Sequence, residues 1–323
     1  MKAIKYNEYG AENVLKLVEI EKPQANSNEV LIKIKAASAT RADTMMRKGA
    51  PYLGRLMLGF CKPKHTGLGT GYAGVIEAVG ESVTHWKTGD EVFGESVFGS
   101  GTNAEYVCVP EDGVIEKKPE NLSFEEACSA CDGPITSLNF LRDVGKLQPG
   151  QRALIIGASG SLGTAAVQIA KHIGANVTAV CSGANAVWVK SLGADRVLDY
   201  TKEDFTEENL HYHIIFDTVG KSSYSHSKHS LTKNGVYLFP VFNVLNLCQM
   251  LWTNYFSNKK AKFSATGLRA THELRAMLLE LKSLFESKQL QSIIDRRYQL
   301  TDIANAHAYI DKGHKKGNVV IVI

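Results

Sequence analysis

The chain has 323 residues, long enough for two domains with sizeable cores, and its 44% apolar and 22% charged residues are ordinary for a globular protein. A net charge of +4, with no Lys/Arg block interleaved with aromatics, excludes an electrostatic case for nucleic acid. Six scattered cysteines suit reduced thiols, the opening MKAIKYNEYG has no apolar signal core, and Tyr237–Phe256, the longest apolar stretch, is too polar to span a membrane. The expectation is a cytoplasmic protein with neither a nucleic-acid nor a membrane partner.

The first third predicts a β-rich fold. Ala3–Tyr6, Leu15–Glu19, Glu29–Ala37, Ala73–Val79, Glu91–Phe98 and Ala104–Val109 are short β-prone runs punctuated by Gly, Pro, Asn and Asp. A helix is expected over Arg41–Lys48, followed by Tyr52–Phe60, which is apolar for a loop. A helical pattern then runs from Leu122 to Val144, opened by the capping box Ser123–Glu126. Cys128 and Cys131 share a face of it beside Ala127 and Ala130; with no second pair nearby they read as packed thiols, not a metal or redox pair. His65, His85, His211 and His213 read as ordinary loop histidines.

From Gln151 the chain alternates strand and helix. Ala153–Ile156 is short, aliphatic and unbroken, as a strand buried on both faces should be. Gly157, Ala158, Ser159, Gly160, Ser161, Leu162 and Gly163 follow, with the glycines spaced GxxGxxG. Leu162, Ala166, Ile169 and Ile173 then mark one apolar helix face that stops at Gly174. This strand, turn, helix and following strand Val177–Cys181 form a βαβ unit whose turn fits a dinucleotide pyrophosphate, held where free N–H groups and the helix dipole favour negative charge. Arg196–Leu198, Ile214–Asp217 and Val236–Phe239 are further strands, with Asn185–Leu192 and Ser222–Leu231 between them, which predicts a doubly wound parallel sheet. Asn243–Phe256 has an amphipathic face of Val244, Leu247, Leu251 and Tyr255, His272–Glu286 is a helix, and Gly317–Ile323 is β-rich. The second strand ends in Val180-Cys181-Ser182-Gly183, with no acid to hold a ribose 2′-hydroxyl; that permits a 2′-phosphate, with Lys190 and Lys202 the nearby cations.

The strings GYAGVIEAVGESVTHWKTGDEVFG (71–94), GKLQPGQRALIIGASGSLGTAAVQIAKHIGA (145–175) and RRYQLTDIANAHAYIDKGHKKGNVVIVI (296–323), with others between them in the same order, resemble the medium-chain dehydrogenase/reductases. The resemblance is to their zinc-free quinone oxidoreductase, zeta-crystallin-like branch. It implies an α/β fold: a chaperonin-10-like β-rich catalytic domain over 1–120 and 265–323, with a Rossmann dinucleotide-binding domain over 121–264 between. The active site would lie where the two meet.

In the family's alcohol dehydrogenases a catalytic zinc is held by a cysteine, a His–Glu pair and a second cysteine. By resemblance those positions hold Thr40, Thr70-Gly71 and a residue at or beside Asp132, and the cysteine-rich structural loop is missing, so no metal is expected. The resemblance also puts Thr40, Asp43 and Tyr52 on the substrate side: Thr40 as a hydrogen-bond donor, Tyr52 as a proton donor, and Asp43 as a brace of the helix it starts. Tyr200 matches a residue beside the 2′-phosphate in NADP-using relatives, so with Ser182 it favours NADPH over NADH, with dual specificity, and strand-end packing for Tyr200, the alternatives. Thr218 and Val219 should lie beside the cofactor, Phe239–Phe242, including Val241, along the nicotinamide, and Gly317 and Asn318 near it. Tyr52–Phe60 and the 243–256 face suggest a pocket for a small hydrophobic quinone or enone, with a dimer interface or plain core the competing readings. The implied activity is NADPH-dependent reduction of such acceptors by a homodimer. Alcohol/aldehyde redox chemistry and a low-turnover, crystallin-like binding protein are the alternatives.

Overall fold

The computed structural model describes residues 1–96, 101–241 and 244–323, and of Leu53 the backbone only. In chain order the elements are β1 (Lys2–Lys5), β2 (Lys16–Glu19), β3 (Glu29–Ala39), α1 (Arg41–Lys48), α2 (Arg55–Leu58), β4 (Gly71–Val79), β5 (Glu91–Glu95), β6 (Tyr106–Pro110) and β7 (Val114–Lys117). There follow α3 (Phe124–Cys128), α4 (Asp132–Leu138), β8 (Arg152–Ile156), α5 (Ser161–His172), β9 (Asn176–Cys181), α6 (Ala186–Ser191), β10 (Arg196–Asp199), β11 (Tyr212–Asp217) and α7 (Tyr224–Ser227). The chain closes with β12 (Leu231–Phe239), α8 (Val244–Phe256), β13 (Lys260–Phe263), α9 (Thr271–Glu286), β14 (Ile294–Gln299), α10 (Ile303–Asp311) and β15 (Asn318–Val322).

Two compact units result: Met1–Asp132 with Arg269–Lys288 and Ser292–Ile323, and Gly133–Leu268 with Gln289–Gln291. In the first, the described strands form a sheet ordered β14-β15-β3-β4-β5-β7, with β6 also pairing β3, and β1 and β2 make a separate antiparallel ribbon. All its neighbours are antiparallel except β14 and β15. Alternating residues of β3, Val30, Ile32 and Ile34, join Tyr72, Ile76, Val92 and Ile115 in its core, as the period of two requires.

The second unit is a parallel sheet ordered β10-β9-β8-β11-β12-β13. The chain steps outward from β8 to β9 and β10, then returns to β11 on the other side of β8. That reversal leaves a crevice at the carboxyl ends of β8 and β11, where ligands bind in open α/β sheets.

Several boundaries differ from the sequence expectation. The helical pattern of 122–144 breaks into α3 and α4, with Ser129 capping the first, and its last turns widen over Asn139–Val144. Within Ser222–Leu231 only one α-helical turn forms, at α7. The Glu91–Phe98 run is a strand as far as Glu95, and Val97 and Phe98 lie outside the described residues. α2, within the expected loop Tyr52–Phe60, and β7, β13, β14 and α10 were not expected. β13, for example, is Lys-Ala-Lys-Phe, which becomes a strand by pairing with β12.

Candidate active site

The turn after β8 is built by its glycines. Gly157 has φ +76°, and a Cβ there would stand 2.6 Å from Val219 Cγ1. Its N–H and that of Ala158 both donate to Val180 O at 3.0 Å, which ties the turn to β9. Gly163 lies so close under the turn that a Cβ would collide with Gly157 O and stand 2.6 Å from Ala158 Cα. Gly160 is different. It caps α5 with no side chain, at φ −82° and ψ 178°, and a Cβ there would meet only Gly157 O, at 3.5 Å. The space before the start of α5 is therefore open, next to a helix N-terminus without a side-chain cap, as a pyrophosphate cradle needs. Thr218 closes one side: its N–H and Oγ1–H both donate to Ile156 O, at 3.1 and 2.8 Å.

Asp217, fully buried at the end of β11, organises the next loop. Its Oδ1 accepts from Val219 N and Gly220 N at 3.2 and 2.9 Å, and its Oδ2 from Ser222 N and the Tyr237 hydroxyl at 2.8 and 3.0 Å. Burial and this carboxylate push the Tyr237 hydroxyl far up, so it stays a donor. Val219 and Val241 flank the loop: a Cβ on Gly220 would lie 3.2 Å from Val241 Cβ. The Phe239 side chain is 1% exposed and packs against Tyr237 and Phe263, so only its backbone is available to a ligand. Phe242 lies outside the described residues.

At the end of β9, Ser182 Oγ accepts from Asn185 Nδ2 at 3.1 Å, and Tyr200 is exposed. The structure adds a residue that sequence reasoning missed. Asp199 pairs with Cys181 across β10 and β9, and its carboxylate abuts Gly183, so that a Cβ on Gly183 would collide with it. Hydrogen bonds from Thr201 hold Asp199 below the usual carboxylate range. An acid therefore stands beside the end of β9, contributed by β10. Its signal was the Asp in LDYTKED, legible only once β10 is known to pair with β9 in that register.

In the first unit, Thr40 and Asp43 form a capping box at the start of α1. Thr40 N and Oγ1 donate to Asp43 Oδ2 at 2.7 and 2.8 Å, and Asp43 N donates back to Thr40 Oγ1 at 3.1 Å. Gly69 N donates to Asp43 Oδ1 at 3.2 Å. The Thr40 hydroxyl proton is therefore held by Asp43 and not presented to a ligand, against the donor role expected of it. Burial pushes the Asp43 carboxyl up to about 6, although the Thr40 bonds oppose the rise. Glu95, buried at the end of β5, is pushed well above the carboxylate range by burial and by Asp132 and Asp43. Asp132 is raised by burial and partly restored by Lys315, whose own ammonium is lowered to about 8 by burial. Asp43, Glu95 and Asp132 therefore share a buried acidic region with Lys315 beside it, where perturbed carboxyls gather as they do at proton-handling sites. Sequence reasoning found Asp43 and Asp132 but not Glu95 or Lys315. For Glu95 the signal was a carboxylate in an otherwise apolar strand end.

Tyr52 is 78% exposed, with Arg55 stacked over its ring at 4.7 Å. Asn318 N and Nδ2 both donate to Ile293 O, at 2.7 and 3.0 Å, and Gly317 O accepts from Lys315 Nζ at 3.0 Å. A Cβ on Gly71 would stand 2.5 Å from Ser38 Oγ and 2.7 Å from Cys128 O, so that position has no room for a ligating side chain. Cys128 and Cys131 are fully buried, and burial pushes both thiols well up, which suits packing and not thiolate chemistry. Among the described residues, no three His, Cys, Asp or Glu side chains are grouped to hold a metal ion.

Comparison with known proteins places this geometry. Residues 26–120 match the alcohol dehydrogenase GroES-like domain, and residues 192–321 match the zinc-binding dehydrogenase family. The chain is 30% identical over 333 residues to 2-methylene-furan-3-one reductase of Solanum lycopersicum, covering 99% of this chain and 79% of that protein. It is 28% identical over 341 residues to a chloroplastic NADPH-dependent alkenal/one oxidoreductase of Arabidopsis thaliana, covering 99% and 79%. The solved quinone oxidoreductase of Coxiella burnetii superposes with a TM-score of 0.86 at 28% identity, over 100% of this chain and 99% of that one. With a GroES-like β-rich unit, a Rossmann sheet and an open glycine cradle, the chain belongs to the quinone oxidoreductase branch of the medium-chain dehydrogenase/reductases and is an NAD(P)H-dependent oxidoreductase.

Proposed function

We propose that the protein is an NADPH-dependent, zinc-independent reductase of small hydrophobic quinones or α,β-unsaturated carbonyls. The observation that carries this reading is the chemistry at the positions where the family's alcohol dehydrogenases hold zinc. Thr40 is bound to Asp43 and Gly71 has no space for a side chain, so no Lewis acid stabilises an alkoxide. A quinone or enone delocalises the arriving charge itself and needs mainly positioning.

The dinucleotide, when bound, supplies the hydride. The turn Gly157–Gly163 and the start of α5 bind its pyrophosphate. Thr218, Val219, Val241 and the backbone of Phe239 form the wall toward its reactive end. Ser182 and Tyr200 face the 2′-phosphate, with the Asp199 carboxylate a nearby like charge that weakens the preference. Reduction of the acceptor also consumes a proton. Tyr52 delivers it, and the Glu95 carboxyl, raised to about 8 by burial, holds a proton at neutral pH, with Asp43 and Asp132 also raised by burial. A homodimer follows from the family resemblance. The test is steady-state oxidation of NADPH and NADH with quinones, enones and simple aldehydes. The expected result is turnover with the first two classes. Turnover confined to alcohols and aldehydes would overturn the reading.

A further inference from the structure

The helix α8 is built inside out. Its buried positions are Asn246 and Thr253, with Leu247, Gln249 and Met250 half-buried between them. Thr253 Oγ1 accepts from Ala261 N at 3.0 Å and donates to Met250 O at 3.1 Å, and Gln249 Nε2 donates to Ser225 Oγ at 2.7 Å. The opposite face is apolar and turned to solvent: Val244, Leu245, Leu251, Trp252, Tyr255 and Phe256 are all exposed, Tyr255 and Phe256 by 77% and 74%. The Phe256 ring lies 6.2 Å from that of Trp252 and 6.3 Å from that of Tyr255, so the aromatic end forms one surface cluster. A surface helix ordinarily points its apolar stripe at the core.

The sequence around α8 carries charge of one sign, the nearest acid on a neighbouring element being Asp204 beside His226. Residues 218–268 contain six lysines and no Asp or Glu. At the C-terminal end of α8, Lys260 Nζ donates to Thr253 O and Asn254 O at 2.8 and 3.1 Å, and Lys259 Nζ donates to Lys228 O at 2.6 Å. Burial and the neighbouring Lys228 lower the Lys259 ammonium, as uncompensated positive charge should. No side chain of α8 itself is charged.

We propose that α8 docks the protein on an anionic lipid bilayer, lying in the headgroup plane with its aromatic stripe toward the acyl chains and the Lys228–Lys259–Lys260 end on lipid phosphates. The helix is too short and polar to cross, and no described helix is long and apolar enough to do so. An interfacial helix needs only an apolar face, amphipathic aromatics and a basic flank.

The test is co-sedimentation of the full chain with vesicles of phosphatidylcholine alone and of phosphatidylcholine with about one-third phosphatidylserine. It compares the wild type, Trp252→Ser/Phe256→Ser and Lys228→Gln, with melting temperatures as fold controls. The expected result is binding that depends on phosphatidylserine and falls with salt, drops about tenfold or more in the double variant, and weakens in Lys228→Gln. Quenching of Trp252 fluorescence by bromine-labelled lipid, in a chain whose other tryptophans are replaced (Trp86→Phe/Trp188→Phe), reads insertion directly, should the double variant fail to fold. No binding to phosphatidylserine vesicles, or undiminished binding by a folded double variant, would overturn the proposal. So would a wild-type dimer that the double variant converts to monomer in sedimentation velocity, which would assign the face to a second copy.

Discussion

Replacing Gly160 by valine separates the nucleotide cradle from the fold that carries it. The backbone there, φ −82° and ψ 178°, is open to any residue, and the new Cβ would meet only Gly157 O at 3.5 Å. The cost to folding is then about 1 kcal/mol or less, from the poor fit of valine at a helix N-cap. The pyrophosphate loses much more. Two hydrogen bonds from backbone N–H to charged oxygen, at roughly 1.5–3 kcal/mol each, sum to about 3–6 kcal/mol. That is a loss of about 100-fold to 20,000-fold in affinity. Gly163→Ala should behave oppositely. Its Cβ would strike Gly157 O and crowd Ala158 Cα at 2.6 Å, so stability should fall by about 1–3 kcal/mol before binding is considered. The assay is fluorescence titration with reduced dinucleotide, run beside thermal melts and turnover. A folded Gly160→Val protein with wild-type affinity would refute the cradle.

The pocket around the ribose gives a second test: Asp199→Asn should tighten NADPH by about tenfold while leaving NADH unchanged or weaker, because a like charge beside the 2′-phosphate is removed; an unchanged NADPH/NADH ratio would show that Asp199 does not face that group. Glu95→Gln addresses the buried acids. A carboxyl raised by burial stabilises fully below its ordinary 4.5 and loses that contribution as pH rises through its folded range, so the variant should gain on wild type from pH 5 to pH 9, and a pH-independent difference would count against it. His307 has the reverse sign: fully buried, with both ring nitrogens unpartnered, it is lowered to about 3 by burial and Arg47. Wild type should therefore lose about 1.4 kcal/mol per pH unit below 6.5 relative to His307→Leu in urea titrations, and parallel pH profiles would refute this. Dialysis against a chelator should leave quinone turnover unchanged; loss restored by zinc would revive alcohol dehydrogenation.

The nucleotide half was legible in the sequence because its determinants are local. The apolar run of β8, the glycines and the apolar face of α5 are contiguous, and glycine spacing reports backbone geometry wherever the turn sits. The Thr40–Asp43 and Ser123–Glu126 capping boxes are local too, since residues three apart meet in any helix start.

Features that depend on residues distant in sequence were not legible. Asp199 reaches Gly183 and the end of β9 through strand register, and Glu95 owes its raised affinity for a proton first to burial and then to Asp132 and Asp43, far away in the chain. The apolar positions of α8 were visible as a pattern, but periodicity states only that a helix has two faces. Which face meets the sheet is set by the partners available there: Ser225 and the Ala261 backbone took Gln249 and Thr253 inward and left the aromatics outside. Sequence by itself determined the elements whose contacts lie within a few residues. Tertiary structure decided where carboxylates gather and which surface stays bare, because burial and charge proximity are properties of neighbours in space.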